Sequence, residues 1–145
     1  MKNKSLFLLI CVLTLSCCTK SDEKQQRNPY LIDPAVSLNL NLNLPEYNPL
    51  KFPGNYVITP QGIKGIVVYC ASETLYFAFD LTDPNHAPSD CSRMVLDGII
   101  ASCPCQNDTN KYYITSGQHT TEPDSKYPMQ AYRAERNGNN IVISN

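Results

Sequence analysis

Residues Val36 to Leu44 alternate strictly: Val36, Leu38, Leu40, Leu42 and Leu44 are apolar, and Ser37, Asn39, Asn41 and Asn43 are polar. Successive residues of an extended chain face opposite sides, so this stretch makes one buried leucine stripe and one wet asparagine stripe. Pro45 is read as its stop, because proline has no N–H to give to a ladder. Similar short runs follow. Asn55–Thr59 ends at Pro60, and Gly65–Cys70 carries the continuous apolar run Ile66-Val67-Val68-Tyr69-Cys70, the pattern of a strand covered on both faces. Leu75–Leu81 follows after a short turn and pairs with it as a hairpin. Ser92–Leu96 and Ile99–Ser102 flank Asp97-Gly98, and Gln130–Arg136 and Asn140–Ser144 flank Asn137-Gly138, both strong hairpin turns. Lys111–Thr115 is one more short strand. No stretch has a helical period of useful length. About eight or nine strands with frequent turns predict an all-β chain, a small antiparallel sandwich or barrel.

The first residues read as an address. Lys2 and Lys4 precede the apolar run Leu6–Leu13, which ends in Leu15-Ser16-Cys17-Cys18. A basic start, a short apolar core and a small residue before a cleavage point describe a secretion signal, and the run is too short to span about 30 Å of hydrocarbon. The Cys at that point resembles the lipobox of bacterial lipoproteins, where the thiol is acylated and becomes the new N-terminus. Cys17 follows Ser and is the expected lipidated residue, with Cys18 the alternative. The resulting organisation is a signal peptide over 1–17, a hydrophilic tether over 18–29 and one β domain over 30–145. Lys20-Ser21-Asp22-Glu23 resembles the signal that sends some lipoproteins to the cell surface. The expected location is the bacterial cell envelope, on the outer membrane, facing periplasm or surface, and the expected partners are the membrane through the anchor and an unidentified envelope protein.

Removing Lys2 and Lys4 with the leader leaves ten Lys and Arg against 13 Asp and Glu, a mildly acidic chain with no basic block, which argues against nucleic acid. No Gly-x-Ser-x-Gly, phosphate loop or His-Glu-x-x-His is present. No catalytic residue is assigned, and the reading favours a non-enzymatic role, binding or structural.

Cys103-Pro104-Cys105-Gln106 differs by one letter from the Cys-Pro-Cys-His of Rieske iron–sulfur domains. Phe77-Ala78-Phe79-Asp80 looks like the strand entering the first cluster loop of such a domain, Ile99-Ile100-Ala101-Ser102 like the strand entering the second, and Tyr132–Ser144 like the closing hairpin. Pro123 or Pro128 lies where the covering loop would be. The chain therefore resembles a Rieske-like bacterial lipoprotein, which implies a Rieske-type β fold. The resemblance implies a [2Fe–2S] site, but its ligands do not carry over. Cys103 matches the ligand Cys of the second loop, and Gln106 stands in place of its His. In the first loop Asp83 and Asn85 stand near the missing Cys-x-His pair, and Asn107-Asp108 replace the usual Gly-Ser of the second. Rieske iron takes two thiolates on one iron and two imidazoles on the other. The sequence thus predicts no bound cofactor and no metal, with an electron-transfer [2Fe–2S] protein of unusual ligation as the alternative.

Outside the inner membrane thiols tend to be oxidised. Cys70, Cys91, Cys103 and Cys105 allow three pairings. The family resemblance implies Cys91–Cys105, tying the two former cluster loops, a ring of about 15 residues stabilising by roughly 3 kcal/mol. Cys70 with Cys103 is a second pair, or Cys70 is a buried thiol. An alternative assignment is zinc held by Cys91, Cys103 and Cys105 with His86 or His119.

Overall fold

The computed structural model describes residues 28–145. The signal peptide, Cys17 and Cys18, and all of the tether but its last two residues, lie outside the described residues. The rest is all-β and antiparallel, as the sequence predicts. Nine strands run in chain order: β1 (Ser37–Asn41), β2 (Tyr56–Thr59), β3 (Ile66–Cys70), β4 (Tyr76–Asp80), β5 (Val95–Asp97), β6 (Ile100–Ser102), β7 (Lys111–Tyr113), β8 (Ala131–Asn137) and β9 (Asn140–Ser144). They form a six-stranded sheet in the order β1-β9-β8-β4-β3-β2 and a three-stranded sheet in the order β5-β6-β7. Among the described residues no helix is long and apolar enough to cross a membrane.

The strand β3 is covered on both faces, and its alternation divides the core. Ile66, Val68 and Cys70 join Leu40, Leu42, Leu50, Ile141 and Ile143 in one cluster. Val67 points the other way, with Phe79 and Leu81, into a second cluster that holds Met94, Ala101, Cys103, Tyr112 and Ile114. The small sheet is therefore held on the far face of β3–β4 by apolar packing, and its loops hang over the end of β4.

The first strand is shorter than its alternating pattern. β1 ends at Asn41, and the amides of Leu44 and Tyr47 donate to the carbonyls of Asn41 and Leu44, so the chain turns before Pro45 is reached. Leu42 still enters the core while Leu44 is left 45% exposed. Local turn bonds, and not proline, end the strand.

A buried carboxylate closes the end of β4. Asp80 is fully buried and accepts from the amides of Ile63 (2.6 Å), Lys64 (3.2 Å) and Thr82 (2.9 Å), and from the hydroxyls of Thr82 (2.7 Å) and Tyr132 (3.0 Å). Charge removed from water is tolerated only when hydrogen bonds replace the lost solvation, and here five donors do so. Burial and the neighbouring Asp80 charge push the Tyr132 hydroxyl pKa up, which keeps it a donor. The loop that brings the Ile63 and Lys64 amides depends on Gly62, whose φ is 82° and where an added Cβ would meet Asp80 Oδ2 and, at 2.9 Å, Ile66 Cγ1. Gly62→Ala is therefore expected to lower stability by about 2 kcal/mol, from left-handed strain and displacement of the carboxylate. A urea midpoint within error of the parent would show that the carboxylate cradle is not what seats this loop.

Candidate metal centre

Two loops meet beyond the end of β4. The first, residues 81–94, is closed at its base by ladder-like bonds: Thr82 bridges Arg93, and the amides of Asp83 and Met94 donate to the carbonyls of Ser92 and Leu81. A Ser89–Ser92 turn tightens its far end. The second, residues 103–110, is closed by Cys103 N–H on the Asn110 carbonyl, and Asp108 makes an Asx turn by accepting the Asn110 amide at 2.7 Å. Asn107 takes φ 62° in the preceding turn, closed by the Asp108 amide on the Cys105 carbonyl, a conformation that Asn tolerates better than most residues. The Cys91–Cys105 disulfide joins the two loops, with Cα atoms 5.0 Å apart. Cys70 and Cys103 are free and buried.

Between the loops four ligand-type side chains converge. Asp83, His86, Cys103 and Asp108 bring one ligand atom each to within 4.8 Å of all the others. His86 sits at their centre: Nε2 lies 3.4 Å from Cys103 Sγ, 3.5 Å from Asp108 Oδ2 and 3.8 Å from Asp83 Oδ2. Its other nitrogen, Nδ1, lies 2.9 Å from the Ala87 carbonyl. A backbone carbonyl can only accept, so Nδ1 carries the proton of the neutral ring and the Nε2 lone pair faces the cluster. Imidazoles that bind metals are commonly fixed in this way.

Asp83 is fully buried and is held from three directions. It accepts from the Asn85 amide (2.8 Å), the Tyr112 hydroxyl (3.1 Å) and Asn110 Nδ2 (3.1 Å to Oδ2). Asn85 does not face the cluster; its side-chain amide donates to the Tyr112 hydroxyl and the Tyr127 carbonyl and accepts from Tyr127 N–H, clamping the segment before β8. Burial, with the Asp83 charge, pushes the Tyr112 pKa up, so the phenol remains a donor. Burial is also the main cause that pushes the Cys103 thiol up to about 12; the Cys105 backbone N–H opposes this, and Asp83 and Asp108 add to it. Negative charge is thus concentrated on this spot, and among the described residues His86 is the only basic group in ion-pairing range of either carboxylate.

The structure corrects the sequence expectation of no cofactor: one imidazole, one thiol and two carboxylates converge in a group that could hold a metal ion. Asp83 and Cys103, singled out in the sequence, belong to it, while Asn85 and the exposed Gln106 do not. The zinc assignment is redrawn as well. His86 and Cys103 are in the cluster, but Cys91 and Cys105 are bonded to each other. His119 lies behind Tyr112, edge-on at 5.2 Å, with Nδ1 accepting from the Thr121 and Glu122 amides. Asp108 was visible only as the residue standing where a Rieske loop has Ser.

The donor set does not fit a Rieske [2Fe–2S] cluster. Such a cluster takes two thiolates and two imidazoles, and one free thiol and one imidazole are offered here. The set's spacing about His86 Nε2 is compatible with a single ion. Tetrahedral coordination with bonds of about 2.0–2.3 Å sets ligand atoms about 3.3–3.8 Å apart, and the three distances from His86 Nε2 fall in that range.

Peptide mapping of the native chain with a thiol-alkylating reagent is expected to leave Cys70 and Cys103 unmodified at neutral pH, because each is buried and protonated. Both are expected to react after denaturation, and Cys91 and Cys105 only after reduction. Rapid native labelling of Cys103 would contradict the buried placement of its sulfur.

No family model matches the chain, and no curated protein matches it. Solved structures with a similar backbone course include a protein described as an NADH-dependent nitrite reductase small subunit from Mycobacterium tuberculosis, at 16% identity and a TM-score of 0.46, over 78% of this chain and 97% of that one. The ferredoxin of carbazole 1,9a-dioxygenase from Nocardioides aromaticivorans IC177 aligns at 18% identity and a TM-score of 0.43, over 64% of this chain and 86% of that one. A Sphingomonas yanoikuyae B1 ferredoxin aligns at 19% and 0.42, over 65% and 88%.

Proposed function

We propose that the chain is a lipid-anchored protein of the bacterial cell envelope whose β domain holds one divalent metal ion between Asp83, His86, Cys103 and Asp108. The observation that carries the metal reading is the spacing of the other three donors around His86 Nε2, together with two carboxylates that no Lys or Arg neutralises among the described residues. A divalent cation supplies the missing positive charge and turns a crowded anionic spot into a closed coordination shell. A nitrogen, a sulfur and two oxygens suit a borderline ion such as zinc better than calcium or magnesium, which take oxygen alone. Four protein ligands leave no open position for substrate, the arrangement of a structural or binding site. The anchor reading rests on Leu15-Ser16-Cys17 after the apolar run and on the hydrophilic residues that follow.

Titration of the metal-stripped full chain with Zn²⁺ or Co²⁺ is expected to give one tight equivalent. His86→Ala and Cys103→Ser are expected to abolish it. Tyr112→Phe removes a hydroxyl that orients Asp83 and is expected to weaken affinity by about 10–100-fold. Equal affinity in parent and Cys103→Ser would rule out this site. For the anchor, radiolabelled palmitate fed to expressing cells is expected to label the parent and Cys18→Ser but not Cys17→Ser, and label retained in Cys17→Ser would move the acylation site.

A further inference from the structure

Cys105 belongs to a second ligand group. Its sulfur, His86 and Cys103 Sγ also lie within 4.8 Å of one another. What keeps Cys105 out of the coordination shell is its bond to Cys91. The two sulfurs of that bond are unequally placed: Cys91 is exposed on the first loop, and Cys105 is half-buried against the metal centre. A reductant from solvent therefore meets the exposed residue, Cys91, first, and the sulfur released by attack there belongs to the residue grouped with His86 and Cys103.

We propose that the Cys91–Cys105 disulfide is a redox gate on the metal centre: reduction by a dithiol delivers Cys105 as a second thiolate ligand, converting a one-thiolate site into a Cys103–Cys105–His86 site. The inference rests on the metal reading above. The chemistry is ordinary thiol–disulfide exchange. A thiolate of the dithiol attacks Cys91 Sγ, a mixed disulfide forms, the Cys91–Cys105 bond breaks, and its electron pair leaves on Cys105 Sγ. The second thiol of the dithiol then displaces Cys91, which takes up its proton, and the dithiol ends as a disulfide, having supplied both electrons. A cation held by His86 and Cys103 would stabilise the leaving thiolate, so metal and reductant would act in the same direction. Softer ligands replace harder ones as Cys105 enters, and the site's preference moves toward thiophilic ions. Ser89 accompanies the exchange: its hydroxyl lies 3.3 Å from Cys91 Sγ and 4.0 Å from Cys105 Sγ, close enough to solvate either sulfur as the bond opens.

The test is the near-ultraviolet thiolate-to-metal band of the Co²⁺-loaded full chain, whose intensity follows the number of coordinated sulfurs. The oxidised parent is expected to show a one-thiolate band that Cys103→Ser removes. Treatment with a phosphine reductant, removed before loading, is expected to roughly double it. Cys91→Ser is expected to show the larger band without reductant, and Cys105→Ser to stay at the one-thiolate intensity under both conditions. The cysteines ahead of the β domain are the same in every variant, so the difference between the reduced parent and reduced Cys105→Ser reports Cys105 alone. A one-thiolate band that reduction leaves unchanged, or that grows equally in Cys105→Ser, overturns the gate while the metal reading stands. Absence of any Cys103-dependent band in oxidised and reduced protein overturns both.

Discussion

Two aspartates three residues apart, both removed from solvent, govern how this molecule is put together. Asp80 ends β4 and gathers donors from the loop before β3 and from Tyr132 on β8. Asp83 lies in the next loop and gathers donors from Asn110, which closes the second loop, and from Tyr112 on β7. A buried carboxylate without donors is strongly unfavourable. Each therefore forces distant segments to present N–H and O–H groups at fixed points, and the apolar clusters on the two faces of β3 and β4 fill in around those points. Thr82 lies between them, giving its amide and hydroxyl to Asp80 and its backbone bridge to Arg93. The same few residues that close the large sheet also aim the first loop at the second.

The candidate centre inherits this rigidity unevenly. Asp83 is locked on one side by Tyr112 and Asn110, and Cys103 is held in the core by the first residues of its loop. His86 and Asp108 are partly open, with side chains 28% and 15% exposed. An ion held there would have a buried floor of carboxylate and sulfur and a more exposed wall of imidazole and carboxylate. Preorganised deep ligands and adjustable outer ones let a site bind without rebuilding the fold around it.

The sequence carried the fold better than it carried the centre, for a physical reason. Hairpins are local: Asp97-Gly98 and Asn137-Gly138 specify their turns within a few residues, and β5–β6 and β8–β9 pair around them. The continuous apolar run of β3 reports that both faces are covered, without any knowledge of what covers them. The length of β1 was misread because turn bonds of Leu44 and Tyr47 compete with the alternating pattern. The centre is assembled by tertiary convergence. Asp83 and His86 on one loop meet Cys103 and Asp108 on another, and neither pair has a spacing typical of a metal motif. Comparing the loops with Rieske ligand positions drew attention to what had been replaced. It hid that Asp108, standing in for a Rieske Ser, is itself a donor, while His86 and Cys103 were legible only within a zinc set whose other sulfurs are bonded to each other.

The placement of the last strand has a mechanical consequence. β9 is not an edge strand: it lies between β1 and β8, bonded along its whole length to both. Asn145 adds side-chain bonds to the Val36 amide, the Pro34 carbonyl and Asp33. A processive unfolding protease gripping the chain beyond Ser144 would have to shear two ladders together before any strand came free. One gripping ahead of β1 would first meet a single ladder at the rim of the sheet. Resistance to such machines is therefore directional, and the segment leading into β1 is the weaker handle.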